Sequence, residues 1–169
     1  STRLPGKLLR PILGKTLLQW TYENAKKALS LDELFVATYE EVISHHVQEF
    51  GGRYIYTHAN CLNGTECVAA AIKAEPDLLN ADVIINIQGD EPLLEPALID
   101  QLLQPFLDSR DVQVSTPKQR INSARDYRDV NVVKVVTERR GRALYFSRAS
   151  IPGNLSNDWI PTHAVYRHV

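Results

Sequence analysis

The sequence predicts an α/β fold, a mostly parallel sheet covered by helices on both faces, and three observations carry that expectation. Helical and strand-like apolar periods alternate along the first half of the chain. The chain has 169 residues, 44% hydrophobic and 23% charged, enough for one domain with a sizeable core. The apolar run Ile84-Ile85-Asn86-Ile87 gives way abruptly to Gln88-Gly89-Asp90-Glu91-Pro92, as a buried strand does at its carboxyl end.

Taken in order, Leu17, Leu18, Tyr22, Ala25 and Leu29 recur at helical spacing with Lys26 and Lys27 opposite, predicting a helix over about residues 16–29. Residues 34–38 read as a short buried strand. A second helix follows through Val42, Ile43, His46, Val47 and Phe50, closed by Gly51-Gly52 as a C-terminal cap. Residues 53–57 are the next strand. Thr65 caps a third helix through Val68, Ala71 and Ile72, and residues 83–87 form the central strand. Residues 96–107 supply another helix and 112–115 a short strand. Residues 132–136 and 143–146 flank Glu138-Arg139-Arg140-Gly141 as a hairpin, 153–161 read as loop, and the end of the chain looks like the start of a strand. The chain opens in a loop where a doubly wound sheet opens with a strand. A single domain over 1–169, incomplete at both ends, is therefore expected.

The net charge of −1 argues against broad attraction to nucleic acid or acidic membrane while leaving small anions open. No apolar run approaches spanning length, and the opening Ser1-Thr2-Arg3-Leu4-Pro5-Gly6-Lys7 lacks a signal peptide's apolar core. Cys61 and Cys67 support neither a disulfide framework nor a four-ligand zinc site, and fit reduced thiols in a cytoplasm.

Ligands of open α/β sheets collect beyond the carboxyl ends of strands, so Asp90 is placed to hold a metal bound to phosphates. Gly-Asp-Glu-Pro is equally good turn chemistry, and from these residues alone the two readings stand side by side. Arg3, Gly6 and Lys7 compose an anion cradle, or else a solvated basic terminus. Asn63-Gly64-Thr65-Glu66 reads as a turn entering a helix, either a plain cap or a site where amides meet a base edge or phosphate. Arg148, just after a strand, can fork onto a carboxylate or end as a surface ion pair. The adjacent His45 and His46 point about 100° apart on a helix and share no metal easily. Cys67 has no base partner that would make it a nucleophile.

STRLPGK, NGTE, NIQGDEP, VNVVKVV and ALYFSRASIP occur in that order from Ser1 to Pro152, and with Tyr166-Arg167-His168-Val169 they resemble the 3-deoxy-manno-octulosonate (Kdo) cytidylyltransferases, the CMP-Kdo synthetases. The resemblance implies a Rossmann-like nucleotidyltransferase and a Mg²⁺-dependent transfer of a cytidylyl group from CTP to Kdo for lipopolysaccharide, in the cytoplasm and by a homodimer. It implies that Arg3, Lys7 and Asp90 are catalytic, with Asp90 on the metal. Ser1, Arg3, Gly6, Lys7, Asn63 and Gly64 would line the nucleotide pocket, and Gln88, Arg148 and His168 would face the sugar acid. CMP-sialate synthetases, or a catalytically silent nucleotide-binding paralogue, are the alternatives. Departures from the family wording fall at Tyr39, Asn60 and Cys67, where aspartates and an arginine are usual, and the family's second metal-binding aspartate lies outside these residues.

Overall fold

In this computed structural model, residues 4–57, 61, 63–151, 153 and 165–168 are described, and they form two compact units, 1–109 and 110–169.

The first unit opens with a one-turn 3-10 helix, Lys7–Leu9, entered from Gly6 at φ 65°, a left-handed conformation that favours glycine. A small antiparallel hairpin follows, β1 (Pro11–Ile12) with β2 (Lys15–Thr16). Leu13 and Gly14 between them both have positive φ, as a two-residue primed turn requires, where the sequence predicts only a loop. Thr16 caps α1 (Leu17–Ala25) by accepting from the Gln19 amide at 3.1 Å. The predicted helix ran four residues further. Instead the chain tightens after Ala25, with the Lys27 and Ala28 amides bonding three residues back.

β3 (Val36–Thr38) and β4 (Tyr54–Tyr56) pair in parallel, joined through α2 (Glu41–Glu49). Gly51, at φ 76°, and Gly52 end α2 as expected: their amides reach back to the Gln48 and Val47 carbonyls at 3.0 and 2.8 Å, a Schellman closure. α3 (Gly64–Ala74) is capped by Asn63 and not by Thr65, two residues earlier than predicted. Extended backbone at Asn63 puts its side-chain oxygen 3.0 Å from the Glu66 amide, and its amide nitrogen 3.2 Å from the Glu66 carboxylate. A 3-10 stretch (Pro76–Asn80) and α4 (Pro96–Asp108) complete this unit.

The predicted central strand over 83–87 is not recorded as a strand. Its exposure alternates residue by residue, as an extended chain's does, but a ladder also needs a partner at strand spacing. A cleft of about 930 Å³, lined in part by Ala37, Ile55, Ile84, Ile85 and Ile87, lies alongside. Ile85 and Ile87 nevertheless pack on the buried cluster of Ala25, Ala28 and Ile99, which sets the height at which Gln88 to Pro92 emerge. A second cluster, Leu18, Ile43 and Val47, receives Leu8 and Leu9, so the Lys7 turn is anchored by the residues that follow it.

In the second unit, residues 112–115 are not a strand; β5 forms at Lys118–Arg120. α5 (Ala124–Arg128), not anticipated, is capped by Ser123. β6 (Lys134–Thr137) and β7 (Ala143–Ser147) make the expected hairpin, closed by the Glu138 amide on the Arg142 carbonyl at 2.9 Å. β8 (Tyr166–His168) completes an antiparallel sheet of order β5-β8-β6-β7, over a core of Ile121, Tyr127 and Val165. The α/β class therefore holds, with ladders partly parallel and partly antiparallel.

Candidate active site

The segment after Ile87 turns twice, with the Glu91 amide bonding the Gln88 carbonyl at 3.3 Å and the Leu94 amide bonding the Glu91 carbonyl at 3.0 Å. α1 holds these turns from the side. The Thr21 hydroxyl donates to the Gly89 carbonyl at 3.1 Å, and the Asn24 side chain donates to the Pro92 carbonyl at 2.8 Å. A Cβ on Gly89 would lie 3.3 Å from a Leu18 methyl and 3.4 Å from a Leu8 methyl, so the loop sits close against α1 and the Lys7 turn. That packing brings the Lys7 ammonium onto the Asp90 carboxylate, an ion pair between groups 83 residues apart. Both side chains keep about a third of their surface in solvent (32% and 35%), so each can exchange the other for a ligand.

Gln88 meets the start of α3. A Cβ built on Gly64 would stand 3.1 Å from the Gln88 side-chain nitrogen, so the contact relies on glycine's missing side chain. Asn63 spends its side chain on the cap, where it takes the Glu66 amide of the first turn of α3.

In the second unit, the ladders pair Lys134 with both Ser147 and Arg167. Carried one residue further, this register sets Arg148 and His168 on either side of Val133, about 10 Å apart as two strand spacings. The His168 amide bonds the Val133 carbonyl at 2.8 Å, and its ring stands edge-on to Phe146 at 5.6 Å and bonds the Thr116 hydroxyl at 2.8 Å. The exposed Arg148 guanidinium donates to the Val130 carbonyl at 3.0 Å.

A loop carboxylate paired with a lysine from a glycine-led turn, beside a helix N-terminus, is an arrangement able to receive a polyphosphate and its counter-ion. The cytidylyltransferase family matches residues 1–169. The chain belongs to that family. It is 42% identical to the 3-deoxy-manno-octulosonate cytidylyltransferase of Protochlamydia amoebophila (strain UWE25), over all of this chain and 65% of that one. It is 47% identical to the enzyme of the same name from Solibacter usitatus (strain Ellin6076), over 90% of this chain and 59% of that one. A solved CMP:2-keto-3-deoxy-manno-octonic acid synthetase complexed with CTP superposes with a TM-score of 0.89 at 36% identity, covering 100% of this chain and 67% of the other. The chain thus spans about three-fifths of the length of these curated relatives.

In this cytidylyltransferase chain the structure brings Lys7 to Asp90, Gly64 to Gln88, and Arg148 and His168 to one end of a sheet. Ser1 and Arg3 lie outside the described residues, as does Asn60. Thr21, Asn24 and Lys134 were missed. Thr21 had a legible signal, a polar residue among the apolar positions of α1, and so did Lys134, a lysine inside Val132-Val133-Lys134-Val135-Val136. Burial first, then Cys61, pushes the Cys67 thiol up to about 12, in keeping with a residue that is no nucleophile. The His46 ring bonds the Thr16 cap at 2.7 Å and the Glu49 carboxylate at 3.2 Å, tying α2 to the start of α1.

No group of three or more metal-ligating side chains occurs among the described residues. Asp90 offers one carboxylate of the one or two through which Mg²⁺ is usually held beside substrate phosphates. No described helix is long and apolar enough to cross a membrane.

Proposed function

We propose that the protein containing this chain transfers the cytidylyl group of CTP to Kdo, releasing pyrophosphate and forming CMP-Kdo for lipopolysaccharide. The observation that carries this is the Lys7–Asp90 contact, which joins the glycine-led turn to the loop after the Ile87 segment. Family membership and the names of the relatives support it. The anomeric hydroxyl of Kdo attacks the α-phosphorus; a new P–O bond forms, the bond to the β-phosphate oxygen breaks, and the hydroxyl proton goes to solvent.

Such a transfer asks the protein to position reactants and neutralise charge, so no covalent intermediate is required. Lys7, released from Asp90, is the point charge for the triphosphate, and Gly6 lets backbone approach it closely. Arg3 adds a bidentate fork by its place in the sequence. Asn63, Gly64 and the first turn of α3 would take the nucleotide, with Asn63 acting through the cap it forms. Asp90 would hold Mg²⁺, which supplies charge neutralisation on the phosphates. Gln88, His168 and Arg148 would face the sugar acid, with Arg148 on its carboxylate. A cytoplasmic homodimer with no nucleic-acid or membrane partner is part of the same proposal.

Pyrophosphate release from CTP and Mg²⁺ by the full-length polypeptide, comparing Kdo with sialic acid, tests it. Release with Kdo alone is expected. Release with sialic acid instead would transfer the assignment to that sugar, and none with either would leave a nucleotide-binding protein.

A further inference from the structure

Lys134 is the most fully buried charged side chain among the described residues, with 0% exposure. Its ammonium forms no salt bridge with a carboxylate among the described residues. It donates instead to three backbone carbonyls, those of Asp129 at 2.9 Å, Val132 at 2.7 Å and Arg148 at 2.8 Å. Three donors meet three acceptors, so the cost of burying the charge is offset only because all of its protons are used. Burial pushes the Lys134 pKa down, opposed by Asp129 nearby.

The carbonyls it gathers are not a random set. Two belong to the 129–132 turn and the third is the backbone of Arg148. The turn is braced further by the Asp129 carboxylate, which accepts from the Asn131 amide at 2.8 Å and side chain at 3.0 Å. Between the two pinned carbonyls lies Val130, whose own carbonyl receives the Arg148 guanidinium at 3.0 Å. Arg148 is therefore held at both ends through one ammonium: directly at its backbone, and at its guanidinium through the turn that Lys134 fixes. One guanidinium nitrogen is engaged and the side chain is exposed, which leaves it further donors for an anion.

We infer that Lys134 is a positioning residue that pre-orients Arg148 for the substrate carboxylate, an inference resting on the assignment of Arg148 to the sugar acid. An apolar strand residue here would satisfy the sheet but remove the ammonium from the Val132 and Arg148 carbonyls, leave the Asp129 carbonyl with the Val132 amide alone at 3.1 Å, and free the arginine to swing.

Lys134→Met, Arg148→Ala and the double variant in the full-length protein, assayed by pyrophosphate release, test it. Lys134→Met is expected to raise the KM for Kdo about tenfold, the loss typical of one hydrogen bond to a charged group, with the KM for CTP unchanged. On the Arg148→Ala background the same substitution should add less than about twofold, since the two act as a unit. With a Kdo analogue carrying an amide in place of its carboxylate, the Lys134→Met effect should vanish. A rise in the CTP KM, or full additivity with Arg148→Ala, would overturn the inference. If Arg148→Ala leaves the Kdo KM unchanged, the assignment of Arg148 fails first; if Arg148→Ala raises it and Lys134→Met does not, the positioning role alone fails. Should Lys134→Met not fold, Lys134→Gln, which keeps two donors, is measured in its place. Failure of both to fold makes Lys134 a folding determinant only and also overturns it.

Discussion

Gly64→Ala separates the two halves of the Gly64–Gln88 contact. The added Cβ would stand 3.1 Å from the Gln88 side-chain nitrogen and 3.6 Å from its oxygen, so the side-chain amide must withdraw by a few tenths of an ångström. Gln88 is exposed, and a free rotamer change costs it little, well below the ~1 kcal/mol of a forced off-rotamer χ. Against that stands the gain from replacing glycine at the first position of α3. The low end of the usual Gly→Ala range applies there, about 0.5 kcal/mol, so the helix gain wins. Thermal unfolding should rise by roughly 1–2 °C for a chain of this size. Turnover should suffer at the same time if Gln88 faces the sugar as proposed: with its amide displaced, the KM for Kdo should increase about fivefold and that for CTP little. Calorimetry and pyrophosphate release on the same preparation check both arms. A fall in melting temperature would mean that Gln88 cannot move aside, and an unchanged Kdo KM would remove Gln88 from the sugar site.

Asp90→Ala should abolish most turnover while changing stability by only about 0.5 kcal/mol, because its ion pair with Lys7 is partly solvated; a large drop in melting temperature with turnover retained would make it structural. The Ser30 hydroxyl and then its amide hold the Asp100 carboxyl below the usual range. A depressed carboxyl stabilises above its unfolded pKa and loses that contribution as pH falls through the folded one, so Asp100→Asn should flatten the loss of melting temperature below pH about 4. An acid limb identical in the variant would refute this. Cys67, held protonated up to about 12, should react with iodoacetamide at pH 8 at least about a hundredfold more slowly than free cysteine, followed by peptide mass spectrometry. Fast alkylation would show a thiolate that burial does not suppress.

Local signals were legible where the physics is local. The Gly51-Gly52 ending of α2 and the hairpin around Gly141 depend on a few neighbouring residues and appear as expected. The cap of α3 shifted from Thr65 to Asn63 because both residue types can cap, and only backbone geometry chooses between them. Residues 83–87 keep a strand's alternation without its ladder, since alternation is written in the sequence and a partner is not. Likewise β5 formed after residues 112–115, at Lys118–Arg120, wherever β8 offered it hydrogen bonds.

By itself the sequence determined the α/β class, the ordered motif blocks that mark a cytidylyltransferase, and the candidacy of Lys7, Gln88, Asp90 and Arg148. Tertiary structure decided which of these meet. Only packing of Leu8 and Leu18 against Gly89 sets Lys7 on Asp90, and only folding of the 129–132 turn reveals that Lys134, outwardly one basic residue among many, holds Arg148 from within. The reason is one of range: residue type and spacing encode chemistry and local periodicity, whereas a contact between residues 83 positions apart depends on every side chain packed between them.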